Sequence, residues 1–165
     1  MEIKFTNEVS LEDSLVFEKV YPENLQWDLN GKQELKDDGT EFLYMVDGDS
    51  GELIGEAYFL PLDTMKDWPP DEEQLEDGLE PYYGHNAMYA FSTTILPEYQ
   101  GKGYGRLLKA YCLGLWKARG YDLAVGHARY GASLALQQSF GAEVVETFDN
   151  WFLTGETYYL YSQKI

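Results

Sequence analysis

The chain has 165 residues, 44% of them apolar, with 8 Phe, 4 Trp and 14 Tyr, a composition that supports a packed core and excludes wholesale disorder. The formal net charge is −17 and it is lopsided: residues 1–86 hold 23 acids and 5 bases, residues 87–165 hold 6 and 7. Phosphate backbones want a basic face, so nucleic acid is a poor partner, and the field instead favours a cationic substrate or a basic protein, unless the acids only confer solubility. No apolar run reaches the ~18 residues of a membrane span. The start, "MEIKFTNEVS", lacks a basic-then-apolar secretory pattern. Cys112 stands alone, which rules out an intramolecular disulfide and makes a cytoplasmic location the simplest expectation.

In chain order, "MEIKF" reads as a first strand. Residues 10–36 read as two helices broken near Pro22, with Ser10 as a cap and Leu11, Leu15, Phe17 and Val20 as the apolar stripe. "EFLYMVD" and "ELIGEAYFL" are strands joined by a tight "GDSG" hairpin. Residues 61–86 interrupt this regularity. They carry eight acids, one lysine and four of the six prolines, and predict a long acidic insertion on the surface. "AMYAFSTTIL" is a strand rich in β-branched and aromatic residues. "RLLKAYCLGLWKARG" is a helix, with Leu107, Leu108, Tyr111, Cys112, Leu115 and Trp116 at helical spacing and Gly120 at its stop. "YDLAVGHA" is a strand and "GASLALQQSFG" a short helix; "AEVVETFDNWFL" and "TYYLYSQK" close the chain as strands. Strand, helix, strand at this spacing predicts a parallel pair with a crossover. No repeat or linker divides residues 1–165, so a single domain is expected.

Between the strand and the long helix lies "YQGKGYG", residues 99–105, with glycine at 101, 103 and 105. Free N–H groups at a helix start, together with its dipole, make an anion site, and glycines let phosphates approach them. A Walker loop needs Gly-Lys before Ser or Thr, whereas Lys102 precedes Gly103. A dinucleotide G-x-G-x-x-G would need glycine at 106 or 108, which are Arg106 and Leu108. Taken alone, such a loop also suits a plain tight connection.

The pattern present is Gln-x-x-Gly-x-Gly, at Gln100, Gly103 and Gly105, preceded by "LPEY" and followed by "RLL". With Phe140 and Gly141 ending the next helix, residues 87–142 resemble the GNAT family, the Gcn5-related N-acetyltransferases. The resemblance implies an α/β (α+β) fold: a splayed mixed sheet, here of about seven strands, flanked by helices. It implies acyl-coenzyme A bound between the fourth and fifth strands. Main-chain N–H groups of Gly101, Lys102, Gly103, Tyr104, Gly105 and Arg106 would cradle the pyrophosphate, with help from the Gln100 amide. The backbone of Thr93 and Ile95 would pair with the pantetheine arm. Lys102 and Arg106 add positive charge there.

The second half of that pattern departs from the family. Tyr130 stands where an asparagine often bonds the pantetheine, and Gln137 where a tyrosine commonly protonates the departing thiolate. Tyr89 and Val125 occupy two slots that elsewhere hold carboxylate bases. An amine acceptor must lose a proton before it attacks. A thiolate of pKa ~8.5 leaves readily enough that a dedicated acid is helpful rather than essential. Tyr130, Tyr89 and His127 are therefore the candidates for proton work, Tyr130 first, with His85 beside them; each histidine is equally a structural group. The histidines have no neighbouring acid or thiol ligand pattern, so no metal is expected. Cys112 lies on the apolar stripe as a core residue. Trp151, Phe152, Tyr158, Tyr159 and Tyr161 are core packing or an ammonium cage.

The combined reading is an N-acetyltransferase that moves an acetyl group from acetyl-coenzyme A to a primary amine, a cationic small molecule or a protein amine. Trp68, Asp71, Glu72, Glu73 and His85 would border the acceptor. The alternative is a catalytically weak binding protein whose acidic surface engages a basic partner. Neither nucleic acid nor membrane is expected as a partner, and oligomeric state is not written in the sequence.

Overall fold

In the computed structural model of this chain, residues 1–68 and 78–165 are described. Seven strands form one mixed sheet: β1 Ile3–Thr6, β2 Glu41–Asp47, β3 Leu53–Pro61, β4 Ala87–Ile95, β5 Leu123–Arg129, β6 Glu143–Phe148 and β7 Tyr158–Lys164. Their order is β1-β2-β3-β4-β5-β7-β6. β4 and β5 are parallel, and their ladder runs Ala87↔Leu123, Met88↔Ala124, Tyr89↔Val125, while β4 continues to Ile95 and β5 to Arg129. The other described pairings, β1·β2, β2·β3, β5·β7 and β6·β7, are antiparallel. The helices are α1 Leu11–Ser14, α2 Leu29–Asp37, α3 Tyr104–Ala118 and α4 Ala132–Ser139.

The chain falls into two compact units, Met1–Phe59 with Ser92–Cys112, and Leu60–Phe91 with Leu113–Ile165. In the first, the hairpin between β2 and β3 closes as expected: Gly51 N–H donates to the Asp47 carbonyl at 2.7 Å, and Gly51 takes φ +77°. Ser10 caps α1 by accepting from Asp13 N–H at 3.1 Å, which uses one of the orphan donors of the first turn. The stretch after it differs from the expected helix. α1 stops at Ser14, a 3₁₀ segment runs from Leu15 to Val20, and a second short turn covers Glu23–Leu25 before Asp28 caps α2. Of the predicted stripe only Phe17 is fully buried; Ser14, Glu18 and Lys32 are buried with it. The reason is an ion-pair cluster. Lys32 Nζ lies 3.0 Å from Glu18 Oε2 and 2.9 Å from Glu56 Oε2, and donates to the Ser14 carbonyl and hydroxyl. Buried charges survive only when paired in this way.

α3 is seated tightly on this unit's strands. Gly55 on β3 leaves room that a Cβ would fill, at 2.7 Å from Ile95 Cδ1 and 3.2 Å from Leu108 Cδ2. Leu108 and Cys112 mark the buried line of α3, as the 3.6-residue period requires. Two members of the predicted stripe are misplaced: Leu107 and Tyr111 are 43% and 42% exposed, and Lys109 is buried in their stead. Tyr111 still finds an apolar partner, stacking on Phe5 at 4.0 Å.

In the second unit, the segment predicted as a surface insertion is anchored by its described parts. A 3₁₀ turn spans Leu62–Asp67, and Leu62, Met65 and Leu79 are fully buried. Asp63 accepts from Gly84 N–H at 2.8 Å, tying the start of the segment to its end. The predicted strand over "AEVVETFDNWFL" ends at Phe148. Trp151–Leu153 form a 3₁₀ turn, with Asn150, Phe152 and Leu153 at positive φ. Among the described residues no helix is long and apolar enough to cross a membrane.

Candidate active site

The first functional region lies wholly in the first unit, at the start of α3. Leu96 follows β4, and a 3₁₀ turn at Pro97–Tyr99 delivers Gln100 to the loop. The Gln100 side chain donates to the Ile95 carbonyl at 2.9 Å, pinning the loop back onto the end of β4. That amide is therefore a brace for the loop as well as a group beside it. Gly101 and Gly103 take φ +76° and +86°, and a Cβ at either would meet nothing within 4 Å. Backbone conformation, and not crowding, demands glycine there, and the space over the loop is open. Gly103 C=O accepts the first α3 bond, from Leu107 N–H at 3.1 Å. Lys102 N–H closes the turn at residues 100–101, while no hydrogen bond among the described residues engages the main-chain N–H groups of Gly101, Gly103, Tyr104 and Gly105. These unused donors stand at the start of a 15-residue helix, where the dipole adds partial positive charge.

The flanking cations belong to the same loop. Lys102 is exposed, with Nζ 5.9 Å from the Tyr99 ring centre and 3.4 Å from the Glu98 carbonyl, and Arg106 is exposed on the first turn of α3. Tyr104 is half-buried, its hydroxyl donating to Met1 Sδ. Thr93 and Ile95 are half-buried on one face of β4, while Ser92 and Thr94 are buried on the other.

The second region lies wholly in the other unit. Tyr89, on β4, is buried at 1% exposure, and its hydroxyl lies 2.7 Å from His127 Nδ1 on β5. Burial pushes the Tyr89 phenol well above its ordinary pKa, helped by the nearby Tyr161 and Tyr83. The phenol thus keeps its proton, and the direction of its bond to His127 follows the imidazole tautomer: Nδ1 accepts from the hydroxyl when the ring proton is on Nε2, and donates to its oxygen when the proton is on Nδ1. The His127 ring is stacked on Trp151 at 4.5 Å and 26°, and meets the edge of Phe148 at 5.7 Å. From Tyr89 the row of rings runs on to Phe91 at 5.5 Å and from Phe91 to Trp68 at 6.3 Å. The Trp68 indole N–H is buried and has no acceptor among the described residues.

Tyr130 is not in this group. It is 73% exposed just before α4, with its ring 6.3 Å from Tyr159 and its N–H donating to the Thr157 carbonyl. His85 is exposed on a turn, held by its own N–H to the Tyr82 carbonyl at 3.2 Å. Gln137 is buried at 4% exposure, so its amide packs inside the unit. Asp71, Glu72 and Glu73 lie outside the described residues. Cys112 is 1% exposed, and burial pushes its thiol up to about 12, which suits a core residue. Burial pushes its neighbour Lys109 down to about 8. Sequence reasoning missed the stacking of Trp151 and Phe148 on His127. Its one available signal was the aromatic density of residues 148–161. Among the described residues no three His, Cys, Asp or Glu side chains gather as they would around a metal ion.

No curated protein matches this sequence. Solved structures do match its fold. One is the ribosomal-protein-S18-alanine N-acetyltransferase from Escherichia coli, at 13% identity and TM-score 0.73, over 99% of this chain and 94% of that one. Another is NAA60 from Arabidopsis thaliana in complex with acetyl-CoA, at 16% identity and TM-score 0.73, over 99% of each chain. A third is a phosphinothricin acetyltransferase from Sinorhizobium meliloti in complex with AcCoA, at 16% identity and TM-score 0.67, over 100% of this chain and 89% of that one. The model of the acetyltransferase (GNAT) family matches residues 7–141. That span takes in β2 to β5, the glycine loop, α3 and α4, and the chain belongs to the acetyltransferase (GNAT) family.

Proposed function

We propose that this acetyltransferase moves an acetyl group from acetyl-coenzyme A to a primary amine that reaches the protein as a cation. One observation carries the cofactor half of the reading: the unused N–H donors of Gly101, Gly103, Tyr104 and Gly105 at the start of α3, with open space over Gly101 and Gly103. They fit a pyrophosphate, with Lys102 and Arg106 supplying countercharge. Thr93 and Ile95 would offer β4 main-chain groups to the pantetheine arm, as an added strand does. When bound, acetyl-coenzyme A supplies an activated acetyl thioester.

For the chemistry, the reading rests on Tyr89 and His127. The Tyr89 hydroxyl orients the imidazole through Nδ1, and with the ring proton on Nδ1 the Nε2 lone pair is the base. The ammonium gives one proton to solvent; as the free amine bonds to the thioester carbon, Nε2 takes its second proton, and as the C–S bond breaks the imidazolium returns that proton to the thiolate, leaving amide, thiol and neutral imidazole. The aromatic faces of Trp151, Phe148 and Trp68 favour an ammonium group over an anion. The 23 acids of residues 1–86, Asp71, Glu72 and Glu73 among them, would steer such a cation inward. Tyr130 and His85 are assigned no proton transfer in this reading, which rests on the hydrogen-bonded Tyr89–His127 pair; both are exposed.

The test is thiol release from acetyl-coenzyme A against a panel of amines: polyamines, aminoglycosides, lysine peptides and free peptide N-termini. Turnover with a cationic member is expected, with an acceptor KM that rises with salt. Turnover confined to neutral or anionic acceptors would remove the cationic assignment. Failure of coenzyme A to bind would remove the cofactor reading.

A further inference from the structure

The face of β4 opposite Thr93 and Ile95 carries a polar cluster that the reaction does not use directly. Ser92 and Thr94 are 8% and 4% exposed, and their hydroxyls lie 3.2 Å apart. The Tyr21 hydroxyl bonds both of them, Thr94 at 2.6 Å. Burial pushes the Tyr21 phenol up to about 12, so it remains an O–H donor and acceptor.

Tyr21 is itself fixed from its own segment. Its N–H donates to the Glu18 carbonyl at 3.1 Å, and its carbonyl accepts from Gln26 Nε2 at 2.9 Å. Glu18 in turn accepts from Trp27 N–H at 2.9 Å and pairs with Lys32, which reaches Glu56 on β3. A bare apolar contact would suffice to bury this face of β4. Three hydroxyls cost desolvation and add direction, and directional bonds at alternate residues fix the strand on both sides of Thr93.

The geometry points to Tyr21 as a positioning residue for the cofactor: from behind β4, it holds Ser92–Ile95 in the extended form that a pantetheine arm pairs with. This rests on the reading of Thr93 and Ile95 given above, and it adds a residue far outside the glycine loop. Tyr21 touches neither phosphates nor reacting atoms in this scheme. Its loss should therefore weaken only the part of the ligand that runs along β4.

Calorimetric titration with two probes separates that role from general damage. Coenzyme A carries both pyrophosphate and pantetheine, whereas ADP carries the pyrophosphate alone. Tyr21→Phe is expected to weaken coenzyme A about tenfold, the value of one lost directional anchor, while ADP binding stays within twofold of wild type. Equal loss for both probes, or no loss for either, overturns the role. Thr94→Val, which keeps the shape of the strand and removes one of the two anchors, should show the same split at smaller size. It decides the matter if Tyr21→Phe fails to fold, and a Thr94→Val protein that binds coenzyme A like wild type then overturns the role. A wild-type protein that binds neither probe takes down the cofactor reading, and this inference with it. A wild type that binds both beside an unaffected Tyr21→Phe removes this inference alone.

Discussion

The glycine loop of the first unit and the Tyr89–His127 pair of the second are built by opposite means. The loop offers main chain: Gly101 and Gly103 at positive φ, with nothing within 4 Å of where a Cβ would stand. The pair is all side chain, enclosed by Trp151, Phe148 and Phe91, with the phenol 1% exposed. A main-chain site tolerates any anion of the right shape and depends on backbone conformation. A side-chain site depends on one tautomer and on the rings that hold it. Binding and chemistry should accordingly fail separately.

The largest expected effect is on the chemical side. His127→Ala should lower turnover by about 100-fold, the usual worth of one positioned proton-transfer group, with coenzyme A affinity unchanged by titration. Parallel loss of turnover and affinity would merge the two regions into one and break the comparison. Gly103→Val should then weaken coenzyme A by roughly 2 kcal/mol, a factor of about 30, because a β-branched residue resists φ +86° and its side chain stands over the donors. Thermal unfolding of the same variant distinguishes a spoiled loop from a spoiled fold.

Tyr89→Phe should cost about tenfold in turnover, less than His127→Ala, since the imidazole remains but loses the hydroxyl that orients its ring. The acid limb of the pH profile should shift with it, and an unmoved profile would make Tyr89 packing only. Tyr130→Phe should change turnover less than about threefold, in keeping with 73% exposure and a ring contact to Tyr159 alone among its described aromatic neighbours.

An effect on stability, with no change in turnover, sharpens the first unit's side. Desolvation raises Glu56 from 4.5 to about 7, against the pull of Lys32 and helped by the Glu18 charge; the hydroxyls of Tyr44 and Ser14 and the Tyr21 and Tyr58 phenols complete its surroundings. The native state therefore holds more protons than the unfolded chain between about 4.5 and about 7. Stability should fall as pH rises through that window and level off above it, by on the order of a few kcal/mol. Glu56→Gln should flatten the curve of denaturant midpoint against pH, and an unchanged slope would assign the effect elsewhere.

Much of this protein was legible residue by residue. Ser10 as cap, the Asp47–Gly51 hairpin, the strands and the glycine loop follow from capping, alternation and backbone freedom, which act over a few residues of chain. The loop was legible for the same reason: its function is its own main chain. The buried Glu18–Lys32–Glu56 cluster was not, because three charges spread over two helical segments and a strand carry no periodic signal until those segments pack. Nor did the sequence rank His127 above Tyr130. Tyr89 and His127 stand 38 residues apart, and the parallel register Tyr89↔Val125 brings them together. A slip of one residue in that register would turn His127 to the other face of the sheet, so the pairing belongs to the tertiary structure alone.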